Sequence, residues 1–150
     1  MPSSVRSAFN PPPAARRGFT LIEVMIVVVI VAVIAAIALP SYFGSVRKSR
    51  RADAITALNQ IAQAQERWRA NNSTYTNVLS SAGLNVANPS SGFYTLGVSG
   101  NTATVYVATA TATGAQASDS RCTALTLTMN GGNITYGATP AANANLCWNR

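Results

Sequence analysis

The sequence predicts an α+β fold: one long amino-terminal helix, its apolar first half projecting and its amphipathic second half packed against a small antiparallel sheet. Three observations predict it. Residues 19–39 form a run of 21 that lipid could solvate but for one carboxylate, Glu23. Apolar residues then recur at spacings of three and four as far as Trp68. In the last third of the chain, apolar and polar residues alternate with the period of two that a half-buried strand requires.

The elements follow in order. Residues 1–18, MPSSVRSAFNPPPAARRG, hold four of the seven prolines and three arginines. They can bury no core and read as a basic leader on the cytoplasmic side. The run 19–39 would span about 31 Å as a helix, the thickness of a bilayer core. A secretory signal peptide is the simpler alternative, because Ala36-Ile37-Ala38 fits an A-x-A cleavage site. The run is longer than the usual apolar region of such a peptide and carries a charge, which favours a retained anchor. A carboxylate at membrane depth is costly even on lenient insertion scales. Glu23 therefore needs a compensating partner, or a snorkelling path to the interface near the helix end. Charge counting does not orient the anchor: Arg6, Arg16 and Arg17 precede it, and Arg47, Lys48, Arg50 and Arg51 follow it.

Pro40 removes one backbone hydrogen bond and favours a kink. In SVRKSRRADAITALNQIAQAQERWRANN, the residues Ala54, Leu58, Ile61, Ala62, Gln65 and Trp68 form a helical stripe, and Asn71-Asn72 ends it. Trp68 at that spacing reads as core. A helix over about residues 20–69 would be near 75 Å long. That exceeds a compact domain of this size, so one half must project. The Ser, Asn, Gly and Pro content of residues 73–92 marks a connecting loop. Strands are expected around Tyr94, Leu96 and Val98, around Val105 and Val107, and around Leu125, Leu127 and Met129. NGGN, residues 130–133, is a hairpin turn into a short strand at Ile134 and Tyr136.

Composition excludes whole classes of function. There is no histidine and there are four acids, a poor kit for general acid–base catalysis or a metal site, so neither is expected. No enzyme activity and no cofactor are expected. Net charge is +7; without the three leader arginines, eight basic and four acidic side chains remain. That balance permits contact with anionic lipid or nucleic acid and argues for neither. Cys122 and Cys147 are too far apart for a CxxC pair. In an exported domain an even count reads as one structural disulfide, with two free thiols the alternative.

GFTLIEV ahead of an apolar helix, then LPSYFGSVRKSRRADA and a later QERW…NN.TYT, resemble a type IV prepilin. DSRCTALTLTMNGGN…CW is similar to the cysteine-bounded carboxy-terminal loop of PilE-type minor pilins. The resemblance covers residues 18–148. It implies cleavage after Gly18 by a prepilin peptidase, methylation of the new amine on Phe19, and assembly into a filament whose core is the bundled helices. Partners would be other pilin subunits, the peptidase, the inner-membrane assembly machinery and, before assembly, the bilayer. The globular part would face the periplasm and later the cell surface. Three segments are then expected: a cleaved leader over 1–18, a transmembrane and filament-core helix over 19–46, and a pilin globular domain over 47–150.

Cleavage would leave Glu23 about one turn from a new helix start, whose dipole favours a negative charge. In a staggered bundle, the Phe19 amine of one subunit could meet Glu23 of the next, neutralising both. Arg47, Lys48, Arg50 and Arg51 read as a basic collar against lipid headgroups, with Arg47, Arg50 and Arg51 on one face. A pairing surface for neighbouring subunits or DNA is the alternative. The function implied is a minor pilin supporting pilus biogenesis and twitching motility. A DNA-binding competence pilin and a type II secretion pseudopilin are the other readings. For DNA, the carboxy-terminal half offers Arg121 and Arg150 alone. Ala32 stands where many pilins carry a helix-weakening Gly, and Ala is the better helix former by about 1 kcal/mol.

Overall fold

The computed structural model describes residues 18–149. The expected leader, apart from Gly18, and Arg150 lie outside the described residues. Helix α1 (Leu21–Arg69) is followed by strands β1 (Tyr94–Ser99), β2 (Val105–Ala112), β3 (Ala124–Asn130) and β4 (Asn133–Thr139), and by one turn of helix, α2 (Ala144–Cys147). The helix bounds fall within a residue of those the periodicity predicts. Contacts divide the chain into two units, Met1–Leu39 and Pro40–Arg150.

In the first unit, the large apolar side chains of α1 are all more than half exposed. Water does not tolerate so continuous an apolar surface, so lipid or protein must cover it. Among the described residues, α1 is the one helix long and apolar enough to cross a membrane. Pro40 lies inside α1, which continues past it to Arg69.

In the second unit, α1 turns Ala54, Ala57, Leu58, Ile61, Ala64 and Gln65 inward. All but Gln65 join one buried cluster with Tyr94, Leu96, Tyr106, Leu125, Leu127 and Met129. Trp68 packs at its margin, its indole donating to the Thr74 carbonyl at 3.2 Å. The sheet is an antiparallel meander in the order β1-β2-β3-β4. Asn130 pairs with Asn133, and Gly131 and Gly132 take φ of 56° and 87° between them, as a tight primed turn requires.

On β2 the inward face is not the valine face. Val105 and Val107 are only half-buried, while Tyr106, Ala108 and Ala110 face the core. The register explains it: those three pair with Met129, Leu127 and Leu125, and a period of two puts all six on one face. Small side chains on β2 leave room for a helix whose own buried stripe is rich in alanine. Burial pushes the Tyr106 phenol well above its ordinary value, with the Glu66 carboxylate adding to the effect.

Two local ties fix the loop after α1. The Gln65 amide donates to the Thr76 carbonyl at 2.6 Å and accepts from the Thr76 N–H at 3.1 Å, so a buried polar side chain is satisfied. At Gly83 the chain folds back so closely that any Cβ would overlap the Val78 carbonyl oxygen. Cys122 and Cys147 are joined in a buried disulfide, which removes the free-thiol alternative. Beyond it, the Trp148 indole donates to the Gly137 carbonyl at 2.7 Å and packs edge-on against Tyr136.

Candidate functional site

The amino-terminal residues form one candidate. Thr20 precedes α1, and its hydroxyl accepts the Glu23 N–H at 3.3 Å, satisfying a donor that the first turn leaves open. Glu23 is the acid of that first turn, where the helix dipole favours it. Phe19, Glu23, Val24, Val27 and Val28 line a shallow concavity of about 250 Å³. Glu23, Val24, Val27 and Val28, spaced by three and four, share one helix face with the carboxylate near its start, and Phe19 lies just ahead of the helix. Glu23 is exposed and makes no ion pair among the described residues. An apolar face bearing one open carboxylate is suited to receive an apolar partner that brings a cation.

The basic stretch is not the uniform collar that the sequence suggests. Arg51 is 4% exposed and leaves it entirely. Its Nη2 lies 2.7 Å and its Nε 2.8 Å from Asp119 Oδ2, which also accepts from the Gln116 amide at 3.1 Å. The physical reason is that Arg51 shares the buried stripe of Ala54 and Leu58, and a buried cation requires a partner. Arg50 lies over the Phe93 ring at 3.9 Å, and Arg47 donates to the Ser118 hydroxyl at 3.3 Å. Lys48 alone of the four is fully exposed.

A second grouping brings residues together that are distant in sequence. Lys48 and Arg121 line one concavity of about 390 Å³ with Arg51, Asn145, Leu146 and Asn149. Arg121 directly precedes the disulfide, and its carbonyl accepts the Asn143 side-chain amide at 3.0 Å. With Arg51 neutralised by Asp119, two free cations and two side-chain amides face this hollow. A concavity of about 530 Å³ runs between α1 and residues 85–91 and is lined by Asp53 and Arg67 among uncharged groups. It shares no residue with the other two and has no net charge.

Residues 40–126 match the family described as type IV minor pilin ComP, DNA uptake sequence receptor. The chain belongs to this family of type IV pilins. Residues 13–39 of the pilin match the prokaryotic N-terminal methylation motif, which includes Gly18, Phe19 and Glu23. Over 78 residues the pilin is 38% identical to the type IV major pilin protein PilA of Myxococcus xanthus strain DK1622. That match covers 52% of this chain and 34% of the relative, so the chain spans about a third of the relative's length. The long helix, the four-stranded antiparallel sheet and the carboxy-terminal disulfide together are the α+β pilin fold.

Sequence reasoning missed the Arg51–Asp119 pair and the meeting of Lys48 with Arg121. For the first a signal existed: Arg51 stands three residues before Ala54 and seven before Leu58. For the second none did, because only the folded loop carries Arg121 to Lys48.

Proposed function

We propose that this pilin is inserted in the inner membrane through residues 19–39 and cut between Gly18 and Phe19 by a prepilin peptidase. The Phe19 amine is then methylated, and the subunit is built into a type IV filament as a minor component that holds DNA. Its globular unit faces the periplasm before assembly. Docking brings the Phe19 amine of one subunit to Glu23 of the next, and Pro40 supplies a point of bending in the packed helix. Neither step calls for an enzyme activity in the pilin itself.

The single observation that carries the DNA reading is the hollow shared by Lys48, Arg121, Asn145 and Asn149. It supplies two cations for backbone phosphates and two amides that donate hydrogen bonds. It lies in a chain whose family is described as a DNA uptake sequence receptor. A second reading, a filament-building subunit that supports twitching motility, is favoured by the likeness to a major pilin over 78 residues.

The test is duplex retention on sheared filaments across a salt series. Lys48→Gln with Arg121→Gln should weaken DNA retention and flatten the slope of log affinity against log salt by about 1.8, at roughly 0.9 per phosphate contact. Filament yield should not change. Equal retention and slope in variant and wild type would leave the filament-building reading in possession.

A further inference from the structure

A surface just past Leu39 is used by neither the docking face nor the DNA hollow. Tyr42 and Phe43 stand on α1 at 63% and 56% exposure, with their ring centroids 5.9 Å apart. About one turn further on come Val46 and Arg47, a second turn brings Arg50, and with Ala115 and Ser118 these residues line a groove of about 440 Å³. No acidic side chain lines it. The ion pair among the described residues is Arg51 with Asp119, so the charges of Arg47 and Arg50 are uncompensated. The Ser118 hydroxyl and the Phe93 ring hold the two guanidinium groups in place without neutralising them.

We propose that this groove seats the headgroup of an anionic phospholipid, with Arg47 and Arg50 on the phosphate and Tyr42 and Phe43 at the level of the glycerol. Guanidinium forks match phosphate oxygens, and aromatic rings gather where a bilayer meets water. Tyr42 follows the end of the apolar run by three residues, about 4.5 Å of helix, which puts it in that layer. The proposal rests on residues 19–39 being a membrane anchor.

A second copy of this chain is a poorer occupant, because it has few anions to offer. Of its four acids, Asp119 is spent on Arg51, Glu66 accepts from the Tyr75 hydroxyl and Glu23 lies in the anchor, which leaves the exposed Asp53 to face two guanidinium groups. A lipid brings one phosphate per headgroup.

The full chain in detergent micelles, titrated with phosphatidylglycerol or phosphatidylcholine and read by native mass spectrometry, tests this. Wild type should retain phosphatidylglycerol preferentially. Arg47→Gln with Arg50→Gln should lower that retention about thirtyfold, from roughly 1 kcal/mol per cation at an anionic surface and about 1.4 kcal/mol per tenfold. Lys48→Gln with Arg121→Gln should leave retention unchanged, and Tyr42→Ala with Phe43→Ala should lower retention of both lipids. Millimolar inorganic phosphate should not compete.

Equal retention of the two lipids by wild type overturns the proposal, as does an arginine variant that behaves like wild type. Crosslinks from position 42 joining two copies, with lipid retention unchanged by the arginine variant, would assign the groove to subunit contact. Alkaline carbonate extraction separates the two layers of the argument. A chain that washes off membranes sinks both, whereas one that stays without preferring a headgroup sinks this proposal alone.

Discussion

Arg51 and Asp119 are 4% and 1% exposed, and withdrawing two such charges from water costs several kcal/mol per ion. Two short contacts to one carboxylate oxygen and a third from the Gln116 amide offset that cost. Removing one partner alone is the severe change. Asp119→Asn should destabilise the protein by about 3–5 kcal/mol, because Arg51 stays enclosed without its counter-charge. Arg51→Met with Asp119→Leu should cost less than either single change, since no charge is then stranded. Urea unfolding midpoints decide it, and a double variant as unstable as Asp119→Asn would show that the pair does not act as a unit. In the sequence, Arg51 reads as one more member of a basic run. Its burial follows from phase along the helix, which composition does not report.

At the scale of elements, the long helix and the strands were legible because their periods differ and persist over many residues. α1 begins one residue after the expected start and ends at the expected Arg69. The hairpin turn was legible from NGGN, where two adjacent glycines permit positive φ. The inward face of β2 was not. Val105 and Val107 are the more apolar set, yet the sheet register and the approach of an alanine-lined helix select Tyr106, Ala108 and Ala110. The carboxy-terminal disulfide was legible as a pairing because only two cysteines exist. Chain-entropy reasoning gives a closure of this length roughly 3.5 kcal/mol. Cys122→Ser with Cys147→Ser should lower stability by about that amount and leave membrane insertion intact. Thermal melting of oxidised and reduced wild type checks it, and coincident transitions would remove the disulfide from the stability account.

For the whole molecule, the two units differ in what they present. Residues 21–39 present apolar side chains with one carboxylate at their start, while 40–149 hold the core, the disulfide and both cationic surfaces. The proposed docking face rests on GFTLIEV, because a charge inside an apolar run demands a reason. The hollow proposed for DNA could not be read there, since its two cations meet only after folding. If Glu23 pairs with a neighbour's Phe19 amine, Glu23→Gln should leave insertion and cleavage after Gly18 intact. Incorporation into filaments should then fall by about tenfold or more, as each docking step buries an amine without its partner. The ratio of variant in sheared filaments to variant in membranes measures this, with wild-type major subunit present. A ratio equal to wild type at equal processing would return Glu23 to the role of a helix-start acid beside the Thr20 cap.

The contact between Arg51 and Asp119 has a mechanical side as well. If the subunit is built into a filament that bears tension, a load carried along α1 into the second unit meets Arg51 within the first dozen residues after Pro40. From there it crosses to Asp119, and three residues later it reaches Cys122, which is covalently bonded to Cys147. Along that path a non-covalent joint, the buried ion pair, would come before the covalent one, the crosslink.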